Sequence, residues 1–84
     1  DFVGALSDYR EVTALLEPAL RSGQLTNEMR TLLPDVLLRQ TVLALETGAR
    51  QEAEHCHRLL RSYFPTHPGL AKLEDELRRR RDQQ

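Results

Sequence analysis

The sequence predicts an all-α fold, and three observations carry that prediction. Sixteen leucines against two phenylalanines, two tyrosines and no tryptophan supply a core vocabulary of Leu, Val and Ala, which packs between helices more readily than across a sheet. Apolar residues recur at three- and four-residue steps along most of the chain, while no alternating apolar/polar run bounded by hairpin turns occurs, so no strand is assigned. The connections between the predicted helices are short, which implies antiparallel neighbours: helix hairpins, four to five helices in all, stacked as a bundle or solenoid.

The first helix is expected over Ser7–Ser22, where Val12, Leu15, Leu16, Ala19 and Leu20 lay one apolar stripe. Ser7 or Asp8 is its expected cap and Gly23 lies just past its end. Pro18 removes a backbone donor inside this pattern, so a kink or an early end is expected there. A second helix is capped by Thr26 or Asn27 and carries Met29, Leu32, Leu33, Val36, Leu37, Val42, Leu43 and Leu45 up to a stop at Thr47-Gly48. It is the most apolar segment and is expected to be central. Pro34 divides it, and because the residue before a proline resists the helical region, a break or bend near Leu33 is expected.

A third helix spans Ala49 to Tyr63, with Ala53, Cys56, Leu59, Leu60 and Tyr63 on one side and Arg50, Glu54, Arg58 and Arg61 mostly on the other. Pro65-Thr66-His67-Pro68 then leads into a fourth helix, with Pro68 in its first turn and Leu70, Ala71, Leu73, Glu74 and Leu77 as a narrow buried edge. Arg78 to Arg81 place positive charge in its last turn, where it offsets the helix dipole.

Composition narrows the function classes. At 84 residues the chain holds one domain at most, with a modest stability margin. Charged residues are 30% of the chain but nearly cancel at net −1, so no whole-domain field draws nucleic acid or anionic lipid, and both are disfavoured as partners. Cys56 is the only cysteine, which excludes an internal disulfide; the cytoplasm is favoured as a compatible reducing compartment, and a disulfide-free periplasmic domain would look the same. No run approaches the roughly 20 apolar residues of a membrane span, and the opening Asp1-Phe2-Val3-Gly4 has neither a basic nor an apolar leader region. The expectation is a soluble chain, processed or cut from a longer one.

Two stretches match each other when aligned, Ser7-Asp8-Tyr9-Arg10-Glu11-Val12 and Gly48-Ala49-Arg50-Gln51-Glu52-Ala53, each opening a helix. The pattern resembles the tetratricopeptide repeat. It has a small residue at the inter-helix turn (Gly48, Ser7), an aromatic two on (Tyr9), a small apolar residue where helices cross (Ala53, Val12) and proline after the second helix (Pro65). With Gly48 and Ala53 in those roles the repeat runs from about Pro34 to His67, the 34-residue length usual for the family. Arg50 stands where the family has tyrosine, and His57 where it has a bulky apolar residue. The resemblance implies a right-handed helical repeat: one full repeat, a preceding second helix and a C-terminal capping helix over 68–82.

Members of that family act as scaffolds, adaptors or chaperones, so the resemblance implies a protein partner, held on a surface lined by first helices. Carried over position by position, that surface takes in Asp35, Leu38, Arg39, Val42 and Glu46. The competing reading puts Leu38 and Val42 in the core and leaves Arg39 and Glu46 solvated. Arg39 lacks the Lys and Asn companions of the family's carboxylate-grasping cluster, so that mode is not expected.

The chemistry-bearing residues point away from catalysis. His55-Cys56-His57 is the one cluster of metal-capable side chains, but successive helical residues diverge by about 100°, so the three do not converge on an ion, and no metal or cofactor is expected. A Cys–His nucleophile pair meets the same objection and has no turn to present oxyanion donors. Glu52/Glu54 and Glu74/Asp75/Glu76 are read as solvated helix faces beside arginines. The expectation is a non-catalytic interaction module. Two alternatives are a nucleic-acid or membrane contact through Arg78 to Arg81, and a helical appendage of a larger enzyme. Phe2, Tyr9 and Phe64 near chain ends or turns would supply an apolar edge for self-association.

Overall fold

The computed structural model describes residues 2–82, excepting the side chain of Phe2. Four helices follow one another: α1 Phe2–Ser22, α2 Asn27–Glu46, α3 Arg50–Tyr63 and α4 Leu70–Asp82. The described residues contain no strand, and none of these helices is long and apolar enough to cross a membrane.

Local chemistry sets most of the helix ends. Thr26 is the N-cap of α2, its hydroxyl oxygen accepting from the Met29 N–H at 3.2 Å. Gly23 (φ 72°) and Gly48 (φ 82°) take the left-handed conformation that ends α1 and α2 and turns the chain back. Two ends differ from expectation, and Pro18 leaves α1 unbroken. α1 begins about a turn and a half earlier, because Leu6 extends its buried line through Thr13, Leu16 and Leu20, and Ser7 is helical instead of a cap. α1 also runs on through Pro18 to the expected end at Ser22; Pro18 and Ala14, whose carbonyl loses that backbone donor, are both exposed. α4 starts at Leu70, leaving Pro68 in the preceding turn.

α2 likewise continues through Pro34, so the chain has no break at Leu33. The proline ring and Leu33 are both buried, and that burial offsets a cost of about 3 kcal/mol for a proline inside a helix.

α2 is the centre of the core. Leu33, Leu37 and Ala44 on it, with Ala53, Cys56 and Leu60 on α3, are at most 1% exposed, and Leu16 and Leu20 of α1 and Leu70 and Leu73 of α4 close around them. Two leucines expected in the stripes do not join them: Leu15 is 78% exposed and Leu32 54%. Both lie away from the line their neighbours make, and their places inside go to polar residues, Thr13, Gln40 and Thr41.

These buried polar groups are satisfied. Thr41 Oγ1 donates back to the Leu37 carbonyl at 2.7 Å. Thr13 Oγ1 donates to Gln40 Oε1 at 2.5 Å, and Gln40 Nε2 donates to Glu52 Oε2 at 2.8 Å. Glu52 then takes Nε and Nη2 of Arg10 at 2.6–2.9 Å. Glu52, expected on a solvated face, therefore closes a chain of bonds that links α1, α2 and α3 and fixes their register.

The pairings also give helix directions. Arg10–Glu52 and Glu17–His55 step forward together along α1 and α3, so those two run the same way. Asp35 meets His67, Leu38 abuts Gly69 and Glu46 pairs with Arg80, so α2 and α4 share the opposite direction. The thinnest extent, 17 Å, accommodates two helix layers and no third.

Hydrogen bonding from Arg10, opposed by partial burial and helped by Gln40, holds the Glu52 carboxyl below its usual 4.5. A depressed carboxylate stabilises the fold above its unfolded pKa, and the benefit is lost as pH falls through the lower folded value. Glu52→Gln is therefore expected to lower the Tm at pH 7, with the difference from wild type shrinking as the pH drops below about 4.5. Thermal unfolding of both proteins across that range checks it.

Candidate protein-interaction surface

Helical spacing places Asp35, Leu38, Arg39, Val42 and Glu46 on the side of α2 opposite Leu33, Val36, Leu37, Gln40 and Ala44, which are buried. α4 and the turn before it cover one edge of that side. Asp35 takes a hydrogen bond from His67 Nε2 at 3.3 Å, Leu38 is half-buried beside Gly69, and Glu46 is held by Arg80. What stays open is Arg39, exposed and without an ion-pair partner among the described residues, and Val42, 37% exposed.

Leu32 belongs to the same strip, one helical turn before Asp35 and two before Arg39. Its exposed side chain was missed by sequence reasoning, although its offset of seven from Arg39 would have placed it there. The open strip is thus apolar at Leu32 and Val42 with a cation between them, flanked by the α4-bound residues Asp35 and Glu46.

A second concavity lies between α3 and α4, an open cleft of ≈ 910 Å³. Leu45, Ala53 and Leu77 form its apolar floor, and arginines from both helices line its walls. α3 can wall this cleft because its two edges have different neighbours. Glu52 and His55 face α1, while Arg50, Glu54, His57 and Arg61, about half a turn round, face the cleft.

The metal-capable cluster diverges as helical geometry requires. His55 Nε2 reaches Glu17 on α1 at 3.0 Å, His57 Nε2 reaches Glu74 on α4 at 3.1 Å, and Cys56 points between them into the core, fully buried. Among the described residues no three His, Cys, Asp or Glu side chains come together as a metal site. Burial pushes the Cys56 thiol up to about 12, and the carboxylates of Glu52 and Glu17 push the same way. Partial burial works against ionisation of Glu17, yet the hydrogen bonds from His55 and Arg21 hold its carboxyl below the usual range.

Of the arginine run, Arg79 pairs with Asp75 at 2.8 Å, and Arg80 with Glu76 at 3.2 Å as well as with Glu46. Arg78 and Arg81 have no carboxylate partner among the described residues and line the cleft. Tyr9 and Phe64 are half-buried against the core, which removes them from an exposed apolar edge, and the side chain of Phe2 lies outside the described residues.

With no exposure and a raised pKa, Cys56 is expected to react with an aromatic disulfide reagent at pH 8 only through unfolding, at least about 100-fold slower than in urea. Absorbance of the released thiolate in native and denatured protein measures it, and fast native labelling would contradict the packing around α3. Comparison of the chain with protein-family models, with curated proteins and with solved structures yields no match.

Proposed function

We propose that this chain is a non-catalytic protein-interaction module of tetratricopeptide-like helix pairs, which holds a segment of a partner protein along the outward side of α2. The observation that carries the proposal is the open strip on that helix: Leu32 at 54% exposure, Arg39 without an ion-pair partner among the described residues, and Val42. Two exposed apolar residues with an unpaired arginine between them offer a partner both apolar burial and one charged contact.

The helix directions support the repeat-like reading. α2 and α4 run together and α1 and α3 run together in the opposite sense, as successive first and second helices of stacked hairpins do. Under this reading α2 and α3 form the full unit, α1 the preceding second helix and α4 the terminal helix. The residues expected for the surface keep distinct roles. Arg39 and Val42, with Leu32, meet the partner, whereas Asp35, Leu38 and Glu46 hold α4 in place beside them.

The alternative of a polyanion contact through Arg78 to Arg81 is weaker, because Arg79 and Arg80 already have carboxylate partners and only two of the four charges stay free.

The test uses Arg39→Glu with Val42→Asp, two exposed positions whose exchange leaves the core and α4 docking intact. A partner captured by the wild type is then titrated, purified, against both proteins by calorimetry. A loss of at least about ten-fold in affinity at unchanged helicity and Tm is expected. Equal binding by the variant would remove the α2 strip from consideration. Capture confined to low salt and insensitive to this variant would shift the reading to the arginine run.

A further inference from the structure

We infer that the α3–α4 cleft receives α1 of a second copy of this chain, so that copies associate head to tail. The cleft is cationic out of proportion to the chain as a whole. Arg50, Arg61, Arg78, Arg80 and Arg81 line it against only Glu54 and Glu74, while the whole protein carries net −1. Glu74 is already engaged by His57, and Arg80 by Glu46 and Glu76. Arg50, Arg78 and Arg81 therefore stand in the cleft without a carboxylate among the described residues.

The matching acidic surface is on the far side of the molecule. Asp8 and Glu11 of α1 are exposed and have no partner among the described residues, and one turn on from Glu11 stands Leu15, 78% exposed. These three residues span two helical turns on the side of α1 turned away from α2.

Direction agrees with charge. Within one chain α1 lies beside α3 and runs the same way, joined by Arg10–Glu52 and Glu17–His55 on one edge of α3. A second α1 on the opposite edge of α3, again running the same way, is antiparallel to α4. That orientation brings the N-terminal half of the incoming helix, with Asp8 and Glu11, to the end of the cleft where the start of α3 (Arg50) and the last turns of α4 (Arg78, Arg81) meet. Leu15 follows towards the middle of α3. The two faces differ, so the contact is heterologous, and repeating it adds copies in a line or closes a ring. The inference is independent of the α2 strip, which stays outward-facing in every copy.

Sedimentation velocity of the intact chain tests it, with four proteins at matched helicity: wild type, Asp8→Arg with Glu11→Arg, Arg78→Glu with Arg81→Glu, and the combination of all four exchanges. Wild type is expected to form species larger than a monomer that grow with concentration, each double variant to weaken that association at least about ten-fold, and the quadruple variant to recover it through the reversed charges. A wild type that stays monomeric up to about 1 mM, where contacts of millimolar Kd are populated, would overturn the inference. So would association that survives either double variant, or a quadruple variant that fails to recover.

Discussion

Everything in this small structure depends on α2 being buried along three neighbours at once. A chain of 84 residues has little interior to spend, and here the interior is one helix wide. Leu33, Leu37 and Ala44 are at most 1% exposed because α1 and α3 close on the inner side of α2 and Leu70 and Leu73 of α4 close its edge. That requirement explains why Pro34 is carried inside an unbroken helix: a break at Leu33 would separate Leu33 from Leu37 and split the one contact line the core has. It also explains the polar chain Thr13–Gln40–Glu52–Arg10. Leucines alone would let α1 and α3 slide along α2. A buried amide that must reach a hydroxyl on one side and a carboxylate on the other permits a single register.

The same constraint produces the surface. A helix that spends one side on the core must present the other, and since two layers are all the chain forms, the opposite side of α2 faces outward. α4 then divides it. Through His67–Asp35, Gly69 under Leu38 and Arg80–Glu46, α4 covers one edge and leaves Leu32, Arg39 and Val42 open. Gly69 eases this approach, since a Cβ there would stand 2.8 Å from Leu38 Cδ2 and the tip of that leucine would have to shift.

Helical class, the four elements and the capping at Thr26, Gly23 and Gly48 were legible in the sequence, because each rests on local periodicity or backbone preference. Where the reading failed, tertiary packing had overridden a local rule. Pro18 and Pro34 leave their helices unbroken, the first at an exposed position and the second buried in the core. Leu15 and Leu32 fall within the apolar stripes by spacing yet face solvent, while Thr13, Gln40 and Thr41 occupy the interior because each finds a partner the sequence does not display. Of the predicted surface, the shared side of α2 followed from spacing. Its division into residues that hold α4 and residues left open did not, since that depends on where the turn at 64–69 delivers α4. The arginine run was read as one patch, but only the fold separates Arg79 and Arg80, which are paired, from Arg78 and Arg81, which are not.

The most direct measurement of this account is amide hydrogen exchange resolved by residue. With α2 as the shared wall of the core, its amides from Val36 to Ala44 are expected to exchange only through global unfolding, at a rate set by overall stability. Those of α4, which buries only Leu70 and Leu73 fully, are expected to exchange sooner through local opening. Exchange in α2 as fast as in α4, or fastest around Pro34, would show that α2 is not the element around which the others are organised.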